Sequence, residues 1–165
     1  MLDLLPDLFD TYPEKLTLLA PMFSSYGNRE CFWGEVVTVK CYRDNSKVKE
    51  VLAQDGTGKV LVVDGQGVMD CALLGDMIAA NAAKNGWQGV VIYGCVRDVS
   101  TLKTIDLGIK AIGVNPIKTE KKGVGEINIA VEIFGVIISP HSFIYADANG
   151  VAVCNESLDI SMLDL

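Results

Sequence analysis

A chain of 165 residues, half of them hydrophobic and 21% charged, fits one globular domain and excludes extended disorder. Its 14 Lys and Arg stand against 21 Asp and Glu for a net charge of −7, which disfavours general nucleic-acid binding and docking on anionic membranes, both polyanionic partners. The five cysteines (31, 41, 71, 95 and 154) form no CxxC pair and fit buried thiols in a reducing cytoplasm better than disulfides or structural zinc.

At the N-terminus, Asp3, Pro6, Asp7 and Asp10 break any apolar run and no basic residue precedes them, so no targeting signal is expected. Residues 1–30 are mixed, with a turn signal at Tyr12-Pro13 and a loop from Ser24 to Asn28. The β-branched run Trp33 to Cys41 reads as a strand. Asp44-Asn45-Ser46 offers a helix cap, and Lys47 to Gln54 a short helix that stops before Gly56. Lys59 to Val63 is a continuous apolar strand, buried on both faces, with a turn at Asp64 to Gly67. Gly75 opens an Ala-rich helix to Asn85, stopped by Gly86. Gly89 to Gly94 is a second buried strand. Residues 118–126 are a solvated loop, and Ile127 to Ile133 alternates as a half-exposed strand. The uncharged run between Glu132 and Asp147 is too short to span a bilayer and contains Pro140 and His141. A hairpin turns at Ala148 to Gly150. Interleaved helices and strands early, with strands dominating late, predict a single mixed α/β domain over residues 1–165, built of layered sheets.

The sharpest constellation is Asp76 followed, after twenty intervening residues, by Arg97-Asp98. A helix from Gly75 to Asn85 travels about 16 Å, and a returning strand of five or six residues covers about 16–20 Å. The chain thus returns to the level where the helix began. Arg97 and Asp98 would then sit beside the free backbone N–H groups of Gly75, Asp76, Met77 and Ile78, which with the helix dipole suit an anion. Arg97 can grip a carboxylate bidentately. Asp98 offers a hard oxygen to Mg²⁺, which takes few protein groups and keeps several waters. The plainer alternative is that Asp76 complements the helix dipole and Arg97-Asp98 form surface pairs.

Other features read as structural. The turn at Asp64 lacks the third glycine of a nucleotide-binding GxGxxG, since position 70 is Asp70. Lys118, Lys121 and Lys122 form the one basic cluster, on the solvated loop. The single histidine removes every two-histidine metal site; His141, beside Pro140, reads as a hydrogen-bonded structural residue rather than a base. Trp33 and Trp87 suit the core or an interface.

Several segments taken together carry a resemblance. They are Phe32-Trp33-Gly34 with Val36 to Lys40, Asp44-Asn45, Gly58 to Gly65, Asn85 to Gly89, Gly94 to Val99 and Tyr145-Ala146-Asp147. As a set, over nearly the whole length, they resemble the regulator of ribonuclease activity A family, which includes class II 4-hydroxy-4-methyl-2-oxoglutarate aldolases. The resemblance implies a layered swivelling β/β/α-type domain assembled as a homotrimer. It implies a small 2-oxo acid substrate, with pyruvate held by backbone groups at Gly75 to Ile78 and by Arg97, and with Mg²⁺ or Mn²⁺ held by Asp98 largely through waters. The activity implied is metal-dependent retro-aldol cleavage to pyruvate, with oxaloacetate decarboxylation as a side activity; its catalytic residues would be Arg97 and Asp98. The alternative is a non-catalytic regulator that binds and inhibits an endoribonuclease of the ribonuclease E type. One departure stands out: the aldolase pattern expects an acid three residues after Asp98, where this chain has Thr101.

Overall fold

The computed structural model describes residues 3–161 and Leu163. In chain order the elements are helix α1 (Leu4–Thr11), strands β1 (Leu16–Leu18), β2 (Ser24–Ser25) and β3 (Phe32–Lys40), helix α2 (Ser46–Leu52), strands β4 (Lys59–Asp64) and β5 (Ala72–Leu74), helix α3 (Asp76–Lys84), strand β6 (Gly89–Val96), helix α4 (Val99–Leu102), and strands β7 (Gly108–Val114), β8 (Glu126–Ile127), β9 (Val131–Ile133), β10 (Val136–Ile138), β11 (Phe143–Asp147) and β12 (Gly150–Cys154). The main sheet runs β1-β12-β11-β3-β4-β6-β7-β2, with β5 added beside β6 and β8 beside β3. Strands β3, β4, β6 and β7 are parallel neighbours, while β11, β12, β1 and β2 pair antiparallel.

The period-two geometry of a strand sorts the core into layers. On β4, Leu61 and Val63 face the helices, joining Val48, Leu52, Ala79, Ala82 and Leu102 in one cluster. Val60 and Val62 face the opposite way, against Val131, Ile133 and Ile138 from the separate β9–β10 hairpin. Continuous apolar runs such as this β4 run are what a strand covered on both faces requires. Strand β11 repeats the division: Ile144 and Ala146 join the inner cluster, while Tyr145 packs outward on Leu4, Leu5 and Leu8 of α1. This is the mixed α/β architecture expected from the sequence, with helices on one face of a curled sheet and a β-hairpin on the other.

Most predicted elements fall within a residue or two of their observed bounds, and the differences have local causes. The mixed N-terminal segment contains α1, whose Leu4, Leu5 and Leu8 form a short buried face. The alternating run 127–133 is not one strand. Asn128 adopts φ +59° and ends β8, so the alternation of buried and exposed side chains continues while the ladder breaks. The hairpin turns through Ala148-Asn149, with Asp147 paired to Gly150. Asp147 is buried, and its carboxylate accepts from the Asn149 and Leu5 amides, tying the turn to α1. The five cysteines are free, four of them buried, and burial pushes the Cys41 thiol up to about 12. Trp87 is buried with its indole N–H donated to Gln54 O, and Trp33 packs half-buried near α1. His141 is exposed and bonded through Nδ1 to Glu35 Oε1 at 2.6 Å.

The segment Asp44-Asn45-Ser46 does more than cap α2. The Asp44 carboxylate accepts from the Ser46 N–H and hydroxyl, and also from the backbone N–H groups of Lys122 and Val124. Asn45 Oδ1 accepts from the buried Thr119 hydroxyl, and Ser46 Oγ accepts from the Gly123 N–H. The basic loop expected to be freely solvated is therefore fastened to the start of α2. Burial alone would raise the Asp44 pKa, but these hydrogen bonds prevail and hold it at about 2. We expect Asp44→Ala to cost about 2 kcal/mol at neutral pH, the scale of hydrogen bonds to a charged group. Because the folded value lies below the ordinary 3.8, the stabilisation is full above that pH and is lost as pH falls toward about 2. Urea unfolding of both proteins from pH 7 to 2 checks this: the difference in stability should narrow below pH 4.

Candidate active site between the start of α3 and the end of β6

Strand β5 and helix α3 meet at Gly75, which caps the helix in an extended conformation. Strand β6 returns beside β5, with Ala72 level with Cys95 and Leu74 level with Val96. The next residue, Arg97, donates its backbone N–H to Leu74 O at 2.9 Å. The helix-out, strand-back path thus brings Arg97-Asp98 to the first turn of α3, the arrangement that the spacing of the sequence allowed.

Asp98 adopts the left-handed conformation (φ +59°, ψ +38°) at the head of α4 and gives that helix no side-chain cap. Such a conformation is uncommon outside glycine, although aspartate tolerates it better than most residues. Its effect is to turn the carboxylate back: Asp98 Oδ2 accepts the Asp76 backbone N–H at 3.0 Å. Asp98 Oδ1 makes no hydrogen bond among the described residues. The Arg97 guanidinium lies alongside, Nε at 3.9 Å from Asp98 Oδ2, and both side chains are a little over one-third exposed. A methyl group at position 75 would lie 2.6 Å from Asp98 Oδ2 and 3.2 Å from Arg97 Nε. Glycine stands there for space, since its φ of −128° is open to any residue.

These groups open into a cavity of about 330 Å³, lined among others by Gly75, Asp76, Met77, Ile78, Arg97 and Asp98. The substrate- and metal-binding candidates Gly75, Asp76, Met77, Ile78, Arg97 and Asp98 therefore share one cavity. Five further polar residues line it: Asn45 at the head of α2, Lys49 of α2, Asn81 one turn along α3, and Lys118 and Lys121 of the basic loop. The sequence carried a signal for two of them, a lysine cluster in an acidic chain. Lys49 and Asn81 had none, since only the packing of α2 beside α3 brings them there. Thr101 is exposed, one turn beyond Asp98, with its N–H donated to Asp98 O, and lies outside the cavity lining.

The donor set has a definite chemical character. No group of three or more His, Cys, Asp or Glu side chains suited to a metal occurs among the described residues. A tightly caged Zn²⁺ or Ca²⁺ has no place in this cavity. One carboxylate with a free oxygen fits Mg²⁺ or Mn²⁺, which bind through one or two carboxylates plus water and substrate oxygens.

A family model described as RraA-like, Aldolase/RraA, matches residues 4–153. The chain belongs to the RraA-like family. This RraA-like chain is 57% identical over 164 residues to a protein of Shewanella oneidensis named "Putative 4-hydroxy-4-methyl-2-oxoglutarate aldolase", covering 99% of this chain and 100% of that one. A Pseudomonas aeruginosa protein of the same name is 54% identical over 153 residues, covering 93% and 94% of the two chains. Among solved structures, the RNA-processing inhibitor RraA from Thermus thermophilis superposes with a TM-score of 0.92 at 38% identity, covering 99% of each chain. A Geobacillus kaustophilus structure described as an S-adenosylmethionine: 2-dimethylmenaquinone methyltransferase gives 0.91 at 40% identity, covering 93% of this chain and 96% of that one. No helix among the described residues is long and apolar enough to cross a membrane.

Proposed function

We propose that this RraA-like chain is a divalent-cation-dependent lyase that cleaves 4-hydroxy-4-methyl-2-oxoglutarate and related 4-hydroxy-2-oxo acids to pyruvate, with oxaloacetate decarboxylation as a side activity. The observation that carries the reading is the Asp76 N–H bond to Asp98 Oδ2 beside Arg97. It joins an anion-binding helix start, a guanidinium and a carboxylate with one free oxygen in a single cavity. The aldolase names of the relatives support the same activity.

The substrate's carboxylate meets Arg97, whose planar fork suits it, and the α3 N-terminus adds partial positive charge. In the cleavage the C3–C4 bond breaks as the C4 hydroxyl gives up its proton. The bonding pair passes into the 2-oxo group as the pyruvate enolate, which water then protonates at C3. Arg97 balances the charge that develops on the enolate, so it stabilises the transition state more than the ground state. Asp98, oriented by the Asp76 N–H, would hold a bound Mg²⁺ or Mn²⁺, which supplies Lewis acidity to the substrate's oxygens. Decarboxylation of oxaloacetate needs the same enolate, with CO₂ leaving in place of the carbonyl fragment.

Lactate-dehydrogenase-coupled pyruvate release, with and without Mg²⁺ or Mn²⁺, tests the proposal. No release at saturating metal would favour the second reading, a non-catalytic regulator of a ribonuclease E type endoribonuclease, which the similarity to the Thermus thermophilis inhibitor supports. We place the protein in the cytoplasm and expect it to assemble as a homotrimer. Exposed Tyr42, Met69, Ile117 and Val124 offer apolar surface for subunit contact. Light scattering at micromolar concentration should give three times the chain mass, and a monomer would contradict this.

A further inference from the structure

We propose that a second cavity, on the face of the sheet opposite the helices, binds a free α-amino acid with an apolar side chain. Asp64, Glu132 and Gln66 would take its ammonium group, Lys40 its carboxylate, and Tyr93 with Phe134 its side chain. This cavity shares no lining residue with the one at Arg97 and Asp98, so the inference does not rest on the lyase reading.

The register of the sheet assembles the site. Lys40 stands level with Asp64 across β3 and β4, and Asp64 level with Tyr93 across β4 and β6. Their neighbours Val39, Val63 and Ile92 pack with the helices, so strand alternation turns Lys40, Asp64 and Tyr93 to the other face. The β9–β10 hairpin adds Glu132 and Phe134 there, and the turn after β4 adds Gln66. Together they line a cavity of about 580 Å³, within the range of small-molecule sites.

Asp64 is the group that points to a ligand. It is only 5% exposed. Its Oδ1 accepts the Gln66 N–H at 2.9 Å, while Oδ2 makes no hydrogen bond among the described residues. Every fully enclosed side-chain nitrogen or oxygen among those residues has a partner, so Asp64 Oδ2 is open to the cavity that the residue lines. Burial raises the Asp64 pKa against the Gln66 N–H and Lys40, and the Glu132 charge adds to the rise. A cation bound beside it would offset that cost. Lys40 does not serve as that cation, because neither it nor Asp64 nor Glu132 has an ion-pair partner within 4 Å among the described residues. Charges of both signs thus line one cavity unpaired. A simple cation or anion would meet one sign; a zwitterion meets both. Gln66 Nε2 donates to Cys41 O, which leaves Gln66 Oε1 as a third acceptor for the three N–H donors of an ammonium group.

The apolar wall accounts for the side chain. The Tyr93 and Phe134 ring centroids lie 4.7 Å apart, and Phe23 meets Phe134 edge-on at 5.7 Å. Phe134 adopts φ +49° and Gly135 φ +78° in the two-residue turn between β9 and β10. Such turns favour asparagine before glycine, and a bulky residue at positive φ is strained. The hairpin therefore accepts strain to keep an aromatic ring beside Tyr93. Aromatic faces suit both an apolar side chain and a neighbouring ammonium.

Isothermal titration calorimetry with L-leucine and L-phenylalanine tests the inference. The singly charged analogues 2-phenylethylamine and 3-phenylpropionate are titrated alongside, since each keeps one charge of phenylalanine. The wild type should bind phenylalanine at least about tenfold more tightly than either analogue, the scale of one hydrogen bond to a charged group. Asp64→Asn should weaken phenylalanine by a similar factor, about tenfold. Glu132→Gln, on an exposed side chain, should weaken it about two- to fivefold. Lys40→Met should bring phenylalanine to within about twofold of 2-phenylethylamine, because the contact that separates them is gone. If Asp64→Asn fails to fold, Glu132→Gln and Lys40→Met carry the test, since neither side chain is buried. Arg97→Ala should bind phenylalanine as the wild type does. No binding of either amino acid, an analogue bound as tightly as phenylalanine, or affinity untouched by Glu132→Gln and Lys40→Met would each overturn the site. Loss of binding in Arg97→Ala would also overturn it, by placing the ligand in the other cavity.

Discussion

Arg97→Ala should lower pyruvate release at least about 100-fold, the scale on which removing a positioned transition-state donor acts, while leaving cooperative unfolding intact. The two effects separate because Arg97 serves the fold and the site through different atoms. Its backbone N–H bonds Leu74 O and fixes the end of β6, which alanine also does. Its guanidinium lies in the cavity beside Asp98 and makes no hydrogen bond to the rest of the protein among the described residues. Asp98→Asn is the companion. Asparagine keeps the shape and an acceptor for the Asp76 N–H, but it removes the charge that would hold a divalent cation. Turnover should fall and be only partly restored by excess Mg²⁺. Coupled kinetics with thermal unfolding of each variant checks both, and near-normal turnover in either would misplace the site.

Gly75→Ala should be as damaging to turnover and almost silent in stability. The backbone at Gly75 is extended and accepts alanine without strain. The added methyl would stand 2.6 Å from Asp98 Oδ2 and 3.2 Å from Arg97 Nε. Asp98 Oδ2 ends its side chain and Arg97 Nε belongs to a flexible one, so the fold yields by shifting them. A displacement of about 1 Å in positioning groups costs about 100-fold in rate, whereas the change in stability should stay within about 1 kcal/mol. The variant that fails is therefore one whose own side chain takes no part in the chemistry. Unchanged kinetics would show that the carboxylate and guanidinium are not the groups that matter.

The parts of the fold that were legible in the sequence are those fixed by local chemistry. The β4 run Lys59–Asp64 is apolar at every interior position because both faces are covered. Helix α3 announces itself by alanines and stops at Asn85-Gly86, with Gly86 at φ +87°. The meeting of Asp76 with Arg97-Asp98 followed from lengths, since one helix and one strand of matched reach must return to the same level. What the sequence hid depends on contacts between distant segments. Asp44 reads as a capping residue, and its bonds to Lys122 and Val124 span 78 and 80 positions. For that reason the lysine loop looked solvated although it is anchored at the cavity. Helix α1 escaped because two turns with three buried leucines carry too short a period to stand out. The break at Asn128 escaped because side-chain alternation persists through it.

We propose that the start of α3 and the end of β6 together bind a 2-oxo acid and its cation. Crystals grown with Mn²⁺ and pyruvate, measured for anomalous scattering, test it most directly. A Mn²⁺ peak is expected at the Asp98 carboxylate, with pyruvate in the same cavity and its carboxylate against Arg97. A Mn²⁺ peak at another carboxylate, with Asp98 and Arg97 touching neither ion nor pyruvate, would contradict it.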